Sequence, residues 1–173
     1  MPKDHLYFYS KSKDVLAGFG INEQVADSAP YEALDKIDNW RQKLSNFWPA
    51  EIVVRGLRYA TVEHCFQGSK LAIVEPDLGH MFSLDSDSDL SRTSGANAQA
   101  HRKTLTLNKK QLKTWNAIKT DIMYEALLDK FSKHADLKLI LEATREAELW
   151  HGAGRTAATR QFQLEAIRAL LKN

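Results

Sequence analysis

Glu63, Gln67 and Lys70 stand at i, i+4 and i+7, so on a helix they share one face. A carboxylate, an amide and an ammonium in one row can meet a sugar phosphate. The same row also reads as a solvated helix face with an ordinary Glu–Lys pair. Cys65 lies beside Phe66 as a small packing residue. It adjoins His64, but successive helix positions point apart, so the two do not form a nucleophile–base pair. No G-x-S-x-G occurs, and the histidines at 64, 80, 101, 134 and 151 lack the spacing of a zinc site. Asp85, Asp87 and Asp89 alternate like the opening of a calcium loop. However, Leu90 and Ala96 stand where that loop needs Gly and Glu, so the segment Phe82 to Thr93 reads as a surface loop.

The elements around this row can be read locally. Thr61 can cap the helix carrying Glu63. Ile52 to Tyr59 is β-branched and aromatic around Arg55-Gly56, which predicts a tight hairpin. Asn46-Phe47-Trp48-Pro49 places two aromatics in a turn. Leu6 to Tyr9 reads as a short strand, and Lys11 to Val25, with Gly18-Phe19-Gly20, as a loop. Asp27 or Ser28 can start a helix with Pro30 in its first turn, carried on by Leu34, Ile37, Trp40 and Leu44.

Three apolar stripes fill the second half. Trp115, Ile118, Ile122, Ala126 and Leu127 form one, ending near Phe131. Leu137, Ile140 and Leu141 form the next, and Phe162, Ile167, Leu170 and Leu171 the last. Between them, Ala147 to Gln161 reads as a loop able to form a pocket wall. Trp150 can stack on a ring, His151 titrates near neutral pH, and Arg155 or Arg160 can hold phosphate. Trp150 packing on the core is the competing reading. The expected fold is a compact, mainly α domain with a small β-hairpin, one domain over residues 1–173.

With 173 residues, 43% hydrophobic and 27% charged, the chain can bury a real core. A net charge of +2 without a dense Lys/Arg block argues against a plain nucleic-acid-binding domain. One cysteine excludes an internal disulfide and suits a reducing cytoplasm. No signal peptide or long apolar span points to a membrane.

The run SNFWP followed by VEHCFQGSK resembles the NADAR (YbiA-like) family of N-glycosidases, whose members read S-N-F at the turn and E-H-x-F-Q-x-x-K on the helix. Ala100-His101-Arg102, WNAIKTDIM (115–123) and ALLDKFSKHADLKLILEAT (126–144) extend the likeness over roughly Leu44 to Trp150. Against the shortest members, the helix at about 27–43 is an insertion. The resemblance implies a YbiA-like helical domain that hydrolyses the N-glycosidic bond of a ribosylated nucleotide. The substrate is either an ADP-ribose conjugate, such as ADP-ribosylated guanine in nucleic acid, or a phosphorylated riboflavin-pathway intermediate.

The resemblance also implies roles. Glu63 is the catalytic carboxylate. Asn46, Phe47, Trp48, Gln67, Lys70, Arg102, Trp115, Trp150 and His151 form the substrate-binding set, with Gln67 on a ribose hydroxyl and Lys70 and Arg102 on phosphate. Trp150 and His151 are expected on the same pocket as Glu63. No metal or cofactor is required. The chain departs from the family where many members carry W-G-x-G and then G-x-N-x-L-G. Here Trp150-His151-Gly152-Ala153-Gly154 is followed by Thr159-Arg160-Gln161-Phe162. A non-catalytic module binding ADP-ribose or an NAD derivative is the alternative.

Overall fold

The computed structural model describes residues 3–152 and 157–172. In chain order the elements are β1 (His5–Phe8), α1 (Glu32–Asp35), α2 (Trp40–Leu44), β2 (Ile52–Val54), β3 (Leu57–Tyr59), α3 (Val62–Ala72), α4 (Pro76–His80), α5 (Gly95–Ala100), α6 (Lys109–Lys133), α7 (Ala135–Ala143), β4 (Glu148–His151), β5 (Thr159–Arg160) and α8 (Phe162–Leu171). The fold is mainly α with minor β. Two compact units form: Met1–Ser45 with His134–Asn173, and Asn46–Lys133.

The first unit is built on a sheet of order β1-β4-β5. β1 runs parallel to β4, with His5 opposite Glu148 and Phe8 opposite His151. β5 closes antiparallel on β4, with Trp150 opposite Arg160. Alternation buries Leu6, Phe8 and Leu149. α2 packs on β1 and α8 on β4, while α7 packs on both helices. Arg168 on α8 is buried and spans the corner after α7, donating to Thr144 Oγ1 (2.7 Å) and the Ala147 carbonyl (2.9 Å).

Four expectations need correction. The helix expected at about 27–43 is not continuous. A 3-10 turn (Ala29–Tyr31) and α1 end at Asp35, and α2 restarts after Asn39, whose φ of 56° is left-handed. Leu34, Trp40 and Leu44 still reach the core, while Ile37 is only half-buried. Residues 147–161 are not all loop, since β4 and β5 take parts of them. On α8, Phe162 and Leu170 are exposed, and Leu164 and Ile167 are the buried pair. Finally, 82–93 is no plain surface loop. Phe82, Ser83, Ser86 and Ser91 are buried, and a 3-10 turn forms at Asp89–Arg92. The serines turn their hydroxyls on nearby backbone, as Ser86 Oγ does on the Ser83 carbonyl (2.8 Å), which makes their burial tolerable.

The loop 11–25 is held by a charged hub that local pattern gave no sign of. The Glu23 carboxylate accepts from the backbone N–H of Tyr7 (3.1 Å), Gly18 (2.8 Å) and Gly20 (3.0 Å). It also accepts from Arg41 Nε (2.9 Å) and Nη2 (2.8 Å). Arg41 in turn donates to the carbonyls of Val15 and Leu16. The Glu23 side chain is 0% exposed and that of Arg41 3%, so the pair is fully desolvated.

In the second unit the hairpin forms as read. Val54 pairs with Leu57 across Arg55 (φ 49°) and Gly56 (φ 83°), the two positive φ values of a type I′ turn. α6 opens with reciprocal capping: Asn108 Oδ1 accepts from Gln111 N and Gln111 Oε1 from Asn108 N, both at 2.9 Å. Trp115, Ile122, Ala126, Leu127 and Phe131 are buried on α6. α3 packs against α4, α5 and α6.

Candidate active site

α3 is the structural centre of the motif region, and its N-terminus is held twice. Thr61 caps it, its hydroxyl oxygen accepting from His64 N (3.1 Å). The Asn46 carbonyl accepts from Glu63 N (3.1 Å), so the Asn46–Phe47 turn satisfies a second N–H that the helix leaves open. This bond ties the two sequence motifs together physically. Asn46 Nδ2 also reaches Met123 Sδ on α6 (3.7 Å).

Glu63 and Gln67 are each only 5% exposed, which rules out the solvated-face reading of that row. Gln67 Nε2 donates to Glu63 Oε1 (2.8 Å). Gln67 Oε1, also buried, has no hydrogen-bond partner among the described residues. Burial raises the Glu63 carboxyl above its ordinary value, opposed by the Gln67 hydrogen bond and the Arg102 charge. Lys70 is half-buried, and no ion pair joins it to Glu63 among the described residues. Arg102 is exposed on a 3-10 turn (His101–Lys103) following α5.

Phe47 and Trp48, in the turn after Asn46, are half-buried. α5 comes so close that a Cβ on Gly95 would lie 2.7 Å from Phe47 Cα. Trp115 is 4% exposed and meets the Phe66 ring edge-on at 4.8 Å, so it backs α3 from within the core. Cys65 is buried, and desolvation pushes its thiol up to about 12, which suits packing rather than nucleophilic work.

His64, the motif's histidine, is fully buried. Its Nε2–H donates to the Leu90 carbonyl (3.1 Å), and Nδ1 accepts from the Thr61 hydroxyl (2.8 Å). It therefore staples the start of α3 to the 3-10 turn near Ser91. Burial holds its pKa below the ordinary 6.5, outweighing the Leu90 bond. The native state thus binds this proton more weakly than the unfolded chain does. His64's stabilising contribution is complete above pH 6.5 and is lost as pH falls through the native value. Melting temperature should fall below pH 6.5 by this route, and His64→Gln should remove that part of the dependence. Equal slopes in melts of both proteins between pH 7 and 5 would contradict it.

Asn46, Phe47, Trp48, Glu63, Gln67, Lys70, Arg102 and Trp115 all belong to the second unit, while Trp150 and His151 belong to the first. Trp150 is a strand residue, half-buried and stacked on Tyr7 at 6.1 Å. Its Nε1 donates to Glu148 (3.3 Å). His151 meets Phe8 edge-on at 5.5 Å. Arg160 is engaged by Glu148 (2.7 Å) and Glu165 (2.8 Å), and Arg155 lies outside the described residues. The first unit has a cavity of about 300 Å³ bordered by Tyr7, Tyr9, Phe19 and Gly152. Among the described residues no cluster of His, Cys, Asp or Glu could hold a metal. No helix there is long and apolar enough to cross a membrane.

Comparison with known proteins gives concordant matches. The NADAR domain model matches residues 35–155. An N-glycosidase of Nostoc punctiforme is 32% identical over 105 residues, which cover 58% of this chain and 59% of that protein. The N-glycosidase YbiA of Escherichia coli is 34% identical over 109 residues, covering 61% and 59%. The chain thus spans about three fifths of the length of these curated relatives. The NMR structure of E. coli YbiA superposes with a TM-score of 0.61 at 22% identity, over 99% of this chain and 87% of that one.

Proposed function

The chain belongs to the NADAR domain family, and we propose from this that it is an N-glycosidase acting on a ribosylated nucleotide. One observation carries the reading: a nearly buried carboxylate, Glu63, oriented by Gln67 on a helix whose start is pinned by the Asn46 turn. Cleaving a ribosyl C–N bond develops positive, oxocarbenium-like charge at the sugar. A carboxylate in a water-poor setting stabilises that charge more strongly than one in bulk water. The same group can orient or deprotonate the attacking water, as carboxylates do in glycoside hydrolysis. Lys70 and Arg102 supply positive charge for phosphate, and Phe47 and Trp48 supply aromatic surface for a ring.

The substrate class is an ADP-ribose conjugate, including ADP-ribosylated guanine, or a phosphorylated riboflavin-pathway intermediate. Incubation with NAD, ADP-ribosylated DNA and the riboflavin intermediates should release free base from at least one. A second reading, a binding module for ADP-ribose, is favoured by Thr159 and Arg160 being built into β5 where many members carry the Asn-containing segment. It predicts saturable binding heat with no product.

Gly95 tests how closely the turn must be held. Gly95→Ala forces Phe47 backbone to move, because the clashing atoms are Cα and Cβ rather than a flexible tip. Displacements of that order away from the chemistry cost up to about 100-fold. We expect kcat/KM to fall at least ~10-fold, with the fold retained in circular dichroism. Unchanged kinetics would detach Phe47 from the site.

A further inference from the structure

We propose that the surface running from Arg92 through the first turns of α6 to Lys119 binds the phosphodiester backbone of a single-stranded nucleic acid. This goes beyond the N-glycosidase reading and does not depend on it.

Charge segregation is the first observation. Residues 90–120 hold seven Lys and Arg and no Asp or Glu. With His neutral, that stretch is +7 in a chain of +2, so the other 142 residues sum to −5. The fold keeps these cations available. Arg92, Arg102, Lys103, Lys109, Lys110, Lys113 and Lys119 are all exposed, and all belong to the second unit. Among the described residues none of the seven forms an ion pair, whereas Arg55 and Arg58 of the same unit are taken by Glu125 and Asp85. α5 touches both the 3-10 turn that ends at Arg92 and the one that carries Arg102 and Lys103. Residues 104–108 then lead directly into α6. At about 100° per residue, Lys109, Lys110 and Lys113 fall on the side of α6 away from the buried Trp115 and Ile122.

The partner follows from that layout. Lys109 and Lys119 lie about 15 Å apart along the axis of α6, a length that one phosphate or diphosphate group does not engage. A row of cations with no anion among them suits a polyanion, because each phosphate neutralised releases condensed counterions. Aromatic surface adjoins the row. Gly95, which opens α5, is packed on Phe47, and Phe47 and Trp48 are only half-buried. Bases free of a duplex can stack on such rings, which favours a single strand. An anionic membrane fits less well, since the apolar stripe of α6 is buried in the protein and has nothing to insert.

The test measures binding of the full chain to a fluorescein-labelled, unmodified, mixed-sequence DNA strand by anisotropy over about 50–200 mM salt. With five or six phosphates engaged, log Kobs should fall against log[salt] with a slope of about −4. The triple variant Lys109→Gln, Lys110→Gln, Lys113→Gln should flatten that slope by about 2 and weaken binding at least ~10-fold. A control triple in the first unit, Lys11→Gln, Lys13→Gln, Lys36→Gln, should leave both unchanged. The same sequence as a duplex should bind more weakly than the strand. No binding at the lowest salt, equal losses in the two triples, tighter binding of the duplex, or binding to phosphatidylserine vesicles in place of the strand would each overturn the proposal. The unmodified strand carries no ADP-ribosyl group to release, so these outcomes stand apart from the N-glycosidase reading, which base release from the riboflavin intermediate tests separately.

Discussion

Glu63→Gln should lower turnover by at least ~100-fold while leaving the protein as stable as before, or more so. On the proposed mechanism the loss comes from removing the negative charge opposite the developing cation, while the amide keeps the shape and can still bond Gln67. The stability prediction follows from the proton. Burial raises the Glu63 pKa above the ordinary 4.5, so the native state holds that proton more tightly than the unfolded chain. Ionising it therefore destabilises the fold as pH rises from 4.5 through the native value. A neutral amide escapes that penalty at pH 7, and the advantage should vanish below pH 4.5. The same shift sets the acid limb of activity, which should fall away at a pH above the usual glutamate value. Full activity in the variant, or a large drop in its melting temperature, would reduce Glu63 to a structural residue.

Glu23→Ala should produce the largest loss of stability. It strands the buried guanidinium of Arg41 and frees three backbone N–H groups, at Tyr7, Gly18 and Gly20. Breaking one side of a buried pair costs about 3–5 kcal/mol. For a chain of this size each kcal/mol moves the midpoint by about 2–4 °C, so a fall of roughly 10 °C is expected. The double variant Glu23→Ala with Arg41→Met should recover part of that loss, because no charge is left unpaired. A shift under about 3 °C for the single variant would show that water reaches the hub.

What could be read from sequence was local. The Arg55-Gly56 hairpin and the Thr61 cap depend on neighbouring residues, and both formed as expected. Pairings between distant segments left no local trace. β1 and β4 come from opposite ends of the chain, and β5 is two residues long, so 147–161 reads as loop. Asn39 at positive φ breaks a helix whose apolar spacing looked continuous, because side-chain periodicity says nothing about one left-handed residue. The candidate site divides in the same way. The spacing of Glu63 and Gln67 gave their common face. Their burial did not follow from it, since burial depends on how other helices pack on α3. The polar signal that was missed is Glu23–Arg41, two ordinary charges in sequence that meet only in the fold.

We propose that a carboxylate at position 63 drives cleavage of a ribosyl C–N bond. Its most direct test is chromatographic measurement of free base released from ADP-ribosylated DNA and the riboflavin intermediates, at several protein concentrations, with wild type and Glu63→Gln in parallel. Release is expected from at least one substrate at a rate proportional to wild-type protein, reduced ~100-fold or more in the variant. Saturable binding with no released base from wild type, or equal release by both proteins, would contradict it.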